Sequence, residues 1–250
     1  LIFRFVLKRI SDSCVLGSVS AGNLYSETIR QTKKHKAMTK VSVFNQNVEE
    51  YEAWYEKNPE VYESEIQAIK DQMLTLPQNI IGIEVGLGTG RFAEPLGIKE
   101  GIEPSQEMRN LALEKGIEVM DARAERLPYQ DMHFDFVLFV TICHLDDVKA
   151  AFEEAHRVLK PGGALIVGFI DKNSPIGQEY EERRSNSKFY RQAKFYPSER
   201  VKSMLEDLNF KDLSFIQTLF GKLDEIDTVQ ASKPGHSEGS FVVVKARKKT

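Results

Sequence analysis

The sequence predicts an α/β chain, a doubly wound sheet of seven mostly parallel strands with an antiparallel C-terminal strand. Three observations point there. Short apolar runs alternate with helical periods through the middle of the chain. A glycine-rich turn follows the first of these runs and opens a helix. The last two runs are joined by a loop with no crossover helix, which suggests an antiparallel hairpin at the sheet edge.

The first strand is Ile81-Gly82-Ile83-Glu84-Val85, apolar with one acidic interruption, as expected of a central parallel strand. It runs into Gly86-Leu87-Gly88-Thr89-Gly90-Arg91-Phe92. Glycines at 86, 88 and 90 let the backbone turn sharply where a side chain would collide with a ligand, so this is a place to hold a nucleoside cofactor. Spacing separates the obvious cofactors. A dinucleotide turn, G-x-G-x-x-G, needs glycine where Arg91 stands, which makes an NAD-dependent oxidoreductase a poor reading.

The second strand, within residues 98–103, ends in Glu103, nineteen positions after Glu84 and about where α/β nucleoside sites place a carboxylate against a ribose. The alternative for Glu103 is a solvated charge at a strand end. Pro104 stops the strand, and Ser105 can cap the helix behind it. A third apolar run covers 117–121, and a continuous one, residues 133–141, reads as a strand buried on both faces. Ligands in open α/β sheets lie beyond the carboxyl ends of such strands, which singles out Thr141, Ile142, Cys143 and His144. Cys143 reads as a small buried hydrophobe. A helical period from Asp146 through Leu159 is stopped by Lys160-Pro161-Gly162-Gly163, and 164–170 follows as the fifth strand. A helix over 197–208 and strands at 213–220 and 240–245 complete the order.

The motif Glu84-Val85-Gly86-Leu87-Gly88-Thr89-Gly90 resembles motif I of the class I S-adenosylmethionine-dependent methyltransferases, E/D-x-G-x-G-x-G, and Arg157-Val158-Leu159-Lys160-Pro161-Gly162-Gly163 before an apolar strand is the second most similar segment. The resemblance runs from about residue 41 to 248 and is nearest to the small-molecule branch related to quinone-biosynthesis methyltransferases. It implies the Rossmann-like methyltransferase fold, S-adenosyl-L-methionine as cofactor, and in-line transfer of its methyl group to a small-molecule acceptor. The residues it implies for the cofactor are Glu84, Gly86, Gly88, Gly90, Glu103, Pro104 and Met108, with Ala124, Glu125 and Thr141 further along. The family's adenine loop, G-D-A-E-x-L-P-F, corresponds to residues 122–129, but Ala122 and Arg123 replace the glycine and the aspartate. What survives substitution is main-chain donation near Ala124, with Asp121 or Glu125 as acceptor and Met108 and Leu127 covering the ring. An activated methyl donor leaves much of the catalysis to alignment and water exclusion, though oxygen or nitrogen acceptors can need a base. His144 and Tyr51 are the catalytic candidates, with a purely structural hydrogen-bonding role equally open for His144.

Tyr51, Trp54 and Tyr55 share one face of a helix. That stripe either docks the helix on the sheet or, as the resemblance implies, belongs to N-terminal helices over about 45–75 that fold across the cofactor as a lid. The polar segment 171–195 is the expected substrate cover, with Tyr190, Arg191 and Phe195 as contacts; a solvated helix laced with ion pairs is the other reading.

Composition bounds the rest. A chain of 250 residues with 41% hydrophobic content buries a sizeable core without disulfides. Two cysteines suit a reducing cytoplasm, no Cys/His spacing suggests a metal, and no apolar run reaches membrane-spanning length. Residues 1–37 hold seven basic and two acidic residues, a net +5 that leaves −8 for 38–250 out of the total of −3. Three readings compete for 1–37: an upstream extension with a start at Met38, a targeting segment, or a docking arm. The first is favoured, leaving 38–250 as a single domain. Its acidic balance argues against a nucleic-acid partner. A protein or tRNA acceptor met through a local patch, or a module that binds the cofactor without turnover, are the alternatives.

Overall fold

A computed structural model describes residues 40–249; the expectations for residues 1–37 lie outside the described residues. Three helices open the described chain: α1 (Lys40–Gln46), α2 (Val48–Lys57) and α3 (Pro59–Met73). They occupy the stretch expected at about 45–75, with α1 as an additional turn and a half ahead of it. Pro59 sits at the start of α3, where its missing N–H is no loss, and the Asn58 side chain donates to the Trp54 carbonyl at 2.7 Å to close α2.

The alternating region follows as β1 (Gly82–Val85), α4 (Ala93–Leu96), β2 (Glu100–Ile102), α5 (Gln106–Glu114), β3 (Glu118–Met120), β4 (Phe134–Val140), α6 (Val148–Val158) and β5 (Leu159–Ile170). The chain then makes α7 (Pro175–Arg183), α8 (Ser198–Asp207), β6 (Phe210–Thr218), a two-residue strand β7 (Lys233–Pro234) and β8 (Phe241–Lys248). These form one sheet in the order β3-β2-β1-β4-β5-β8-β6-β7. Neighbours from β3 to β5 are parallel, and β8 runs antiparallel to both β5 and β6.

Strand alternation sends side chains to two apolar layers. Val137, Phe139, Leu165, Val167 and Val244 pack with α6 and α8, while Phe136, Leu138, Ile166 and Val243 pack with residues of α3, α4 and α5. Both faces are therefore covered, the condition for a doubly wound sheet. The sheet turns at β1 and β4, where the chain first winds one way to β3 and then the other way to β5. That reversal opens a crevice beyond the strand tips.

Two expectations are corrected. The sheet has eight strands among the described residues, the addition being the short β7, whose Pro234 fits an edge. The expected antiparallel hairpin forms: β6 pairs with β8 at that end of the sheet, with only the two-residue β7 beyond. Within it, β8 lies inside, between β5 and β6, with residues 241–246 buried, while β6 keeps Lys211, Asp212 and Ser214 exposed. Finally, Lys160-Pro161-Gly162-Gly163 does not separate helix from strand. It lies within β5, and a register shift between Phe134 and Phe136 absorbs it against β4.

Candidate functional site

A cavity of about 380 Å³ lies at the carboxyl ends of β1, β2 and β4, the place the strand reversal predicts. Nine of the ten expected cofactor residues line it: Glu84, Gly86, Gly88, Glu103, Pro104, Met108, Ala124, Glu125 and Thr141. Gly90 does not. It adopts φ +79°, and a Cβ there would come within 2.5 Å of the Ile117 side chain, so this glycine serves helix packing behind the turn. Gly86 and Gly88 differ from it. Both have positive φ, but a Cβ on Gly86 would point into open space, and one on Gly88 would meet the Tyr51 hydroxyl at 3.3 Å.

Glu103 is held by the backbone from both sides. Its Oε2 accepts from the Gly88 N–H at 3.0 Å and its Oε1 from the Ser105 N–H at 2.8 Å. Each oxygen keeps a second lone pair, which is what a vicinal diol requires. Burial raises its carboxyl above the usual range, with the two N–H donors opposing the rise. The helix cap forms as expected, Ser105 accepting from the Met108 N–H at 3.4 Å.

Glu84 is buried at the tip of β1, and its Oε2 has no hydrogen-bond partner among the described residues. Burial, with Glu103 adding to it, pushes its carboxyl up to about 8. An orphaned acceptor beside an open glycine turn is unfinished as protein structure and fits a ligand that brings a donor. The residues present thus fit a nucleoside with a charged amino-acid tail.

The adenine side has changed from expectation. Arg123 pairs with Asp146, and Glu125 Oε1 accepts from the Asp146 and Asp147 N–H groups at 2.9 and 3.1 Å. Asp121 is not among the lining residues and pairs with Arg109 at 3.0 Å, leaving Glu125 as the acidic neighbour of Ala124. Leu127 is buried in the core instead of covering the cavity, whereas Met108 lines it.

Above the crevice lie α1, α2 and the 171–195 segment. Glu52 ties α2 to the glycine turn: its carboxylate accepts from the Thr89 hydroxyl at 2.5 Å and from Arg91 Nε at 2.9 Å. Arg91 also lies 5.1 Å from the centre of the Tyr55 ring. Arg91, which stands where a dinucleotide turn has glycine, is thus the residue the covering helix grips. Phe44 packs on Phe189 at 5.5 Å, and Lys188 pairs with Glu50 at 2.6 Å, so the segment after α7 meets α1 and α2 over the cavity. Of its three expected contacts, Tyr190 lines the cavity, Phe195 is buried in a small cluster with Cys143, and Arg191 is exposed.

His144 and Tyr51 both line the cavity. The His144 ring stacks on Tyr190 at 5.6 Å and meets Phe44 edge-on at 5.0 Å. Burial, with Lys40 nearby, lowers its imidazole to about 4, so it is uncharged at neutral pH and a weak base. The Tyr51 hydroxyl lies 3.0 Å from that of Tyr55, and burial holds its proton far more firmly than in water. Thr141 adopts φ +64°, a left-handed conformation uncommon for threonine, at the point where β4 enters the cavity. Lys40, Phe44, Glu65 and Phe189 also line the cavity, and they and Glu52 carry no signal in the sequence, because no local pattern shows which face of a covering element turns inward.

A methyltransferase-domain family model matches residues 83–167. A structure from Thermotoga maritima, described as a SAM-dependent methyltransferase and possible histamine N-methyltransferase, is 43% identical and superposes with TM-score 0.79 over 83% of this chain and 99% of that one. A Methanocaldococcus jannaschii protein without an assigned function is 43% identical over 209 residues, 83% of this chain and all of that protein. Phosphoethanolamine N-methyltransferase 2 of Caenorhabditis elegans is 28% identical over 72% of this chain but only 44% of its own length. The chain belongs to the class I S-adenosylmethionine-dependent methyltransferases. It is an enzyme of that class, with S-adenosylmethionine as its methyl donor.

Proposed function

We propose that the acceptor is a small molecule and that it enters the part of the cavity under α1, α2 and the 171–195 segment. The observation that carries this reading is the contact between covers: Phe44 on Phe189 and Glu50 with Lys188 join over the strand tips. A polymer would have to displace both contacts to bring a residue to the glycine turn. A small acceptor fits beneath them and reacts where water is excluded.

S-adenosylmethionine, when bound, supplies a methyl group already activated on a sulfonium. Glu103 holds the ribose hydroxyls, Glu84 with the turn at Gly86 and Gly88 receives the amino-acid tail, and Met108 with the Ala124 backbone frames the base. Tyr51, hydrogen-bonded to Tyr55 and set against Gly88, directs a hydroxyl dipole at the reacting end. His144, uncharged and stacked on Tyr190, orients the acceptor face. Neither is suited to remove a proton strongly, so alignment carries most of the rate.

Among the described residues no helix is long and apolar enough to cross a membrane. A cytoplasmic location, in line with the low cysteine content, is part of the same proposal. The experiment is to incubate the full chain and S-adenosylmethionine with an ultrafiltered metabolite extract or, separately, with the retained protein and RNA. S-adenosylhomocysteine released only in the metabolite arm is the expected outcome. Release only with macromolecules would overturn the small-acceptor reading.

A further inference from the structure

On the inward face of α3, Val61, Glu65, Ala68, Ile69 and Gln72 are all buried. Two of these are polar, and they are treated differently by the fold. Gln72 is satisfied: its amide nitrogen donates to the Ser214 carbonyl at 3.0 Å, and its oxygen accepts from the Ser214 hydroxyl at 3.2 Å. Glu65, 8% exposed, has neither a hydrogen bond nor an ion pair among the described residues, and it lines the cavity. A buried carboxylate left alone costs several kcal/mol in its charged form, so a fold that keeps one points to a partner from outside.

The surroundings define that partner. Glu65 lies near Tyr55, Tyr180 and Tyr190, which line the same cavity. Tyr180 and Tyr190 stack at 4.7 Å with their planes 22° apart, and Tyr55 meets Tyr51 edge-on at 5.2 Å. Aromatic faces and phenolic oxygens around one carboxylate attract a cation by ring quadrupole, hydrogen bond and charge together. The basic residues of the same wall are committed elsewhere: Lys40 and Arg123 pair with Asp146. Burial is the cause of the upward push on the Glu65 carboxyl, to about 8, and no basic neighbour opposes it.

We propose that Glu65 and the tyrosines around it form the acceptor-binding subsite, and that the acceptor carries an amine, held there as an ammonium ion. This rests on the small-molecule reading above and narrows it to one substrate class. Glu65 is a positioning group here. It fixes the orientation of the acceptor relative to the glycine turn and leaves the bond-making step to the aligned nucleophile.

The test uses the full chain saturated with S-adenosylhomocysteine, whose own titration reports the donor site separately. Calorimetry then compares phenylethylamine, indolylethylamine and butylamine, each with the alcohol of the same skeleton. At least one amine is expected to bind more tightly than its alcohol by about tenfold or more, the scale of one charge-assisted hydrogen bond. In Glu65→Gln that preference should disappear, with affinity for S-adenosylhomocysteine unchanged. Alcohols binding as well as amines, no amine binding at millimolar concentration, or a preference that survives Glu65→Gln would each overturn the proposal. The comparison in the unsubstituted protein decides the matter even if the variant fails to fold. Normal S-adenosylhomocysteine binding alongside amine failure would sink this inference alone, whereas loss of both would sink the donor site.

Discussion

On the function proposed above, the donor half and the acceptor half of the cavity are built by different means. The donor half is backbone: two glycines at the end of β1, a strand-tip carboxylate bonded to two N–H groups, and a reversal in strand order that leaves room for a ligand. The acceptor half is side chain: phenols, a carboxylate and an imidazole contributed by α2, α3, the turn after β4 and the segment after α7. A donor common to a whole family can be met by a geometry fixed in the sheet. The acceptor varies between members, and the layers that meet it can change without disturbing the strands.

That contrast is most exposed at the carboxylates. Among the described residues Glu65 has no hydrogen-bond or ion-pair partner, and in the folded chain it keeps its proton up to about pH 8, against about 4.5 for the free side chain. Its folded pKa is raised, so the associated stability is complete below about pH 4.5 and is lost as pH rises through about 8, on the order of a few kcal/mol. The facing groups, Tyr55, Tyr180 and Tyr190, are held protonated by burial and do not titrate in that window. Glu65→Gln should therefore raise the thermal midpoint above about pH 8 and leave it nearly unchanged near pH 4, as followed by circular dichroism. Glu84, raised for the same reason, keeps its own share of the pH dependence in that variant.

Within the donor half, Gly90→Ala should destabilise the protein by about 2–4 kcal/mol, from a left-handed backbone plus a clash with Ile117. Gly86→Ala meets no protein atom and should cost only about 1 kcal/mol of stability while weakening S-adenosylhomocysteine binding far more. Equal effects of the two on binding would erase the distinction between a packing glycine and a ligand-facing one. Glu103→Ala should weaken S-adenosylhomocysteine binding by about 1–3 kcal/mol in calorimetry while amine selectivity stays intact. A folded Glu103→Ala protein with unchanged affinity would remove that residue from the ribose.

The two halves also differ in how far the sequence reveals them. Glu84, Gly86, Gly88 and Glu103 stand at strand ends, and a strand end followed by glycine or proline is visible in a one-dimensional pattern. Gly90 looks the same in sequence and differs only because α5 and the chain entering β3 bring Ala112 and Ile117 against it. Glu65 was hidden in Glu63-Ser64-Glu65, where two acids two residues apart face opposite ways on a helix and only packing shows which is buried. Pairings such as Phe44 with Phe189 span almost 150 positions and have no local signal. The interior place of β8 agrees with its continuous apolar run, whereas its order relative to β6 has no local signal.

The division of the cavity is tested most directly by a crystal structure of the full chain with S-adenosylhomocysteine and an amine from the panel. Ribose hydroxyls are expected on Glu103, the amino-acid tail at Glu84 and Gly86, and the ammonium group against Glu65 among Tyr55, Tyr180 and Tyr190. A nucleoside seated away from the β1 turn, or an amine bound with Glu65 still without a partner, would contradict that division.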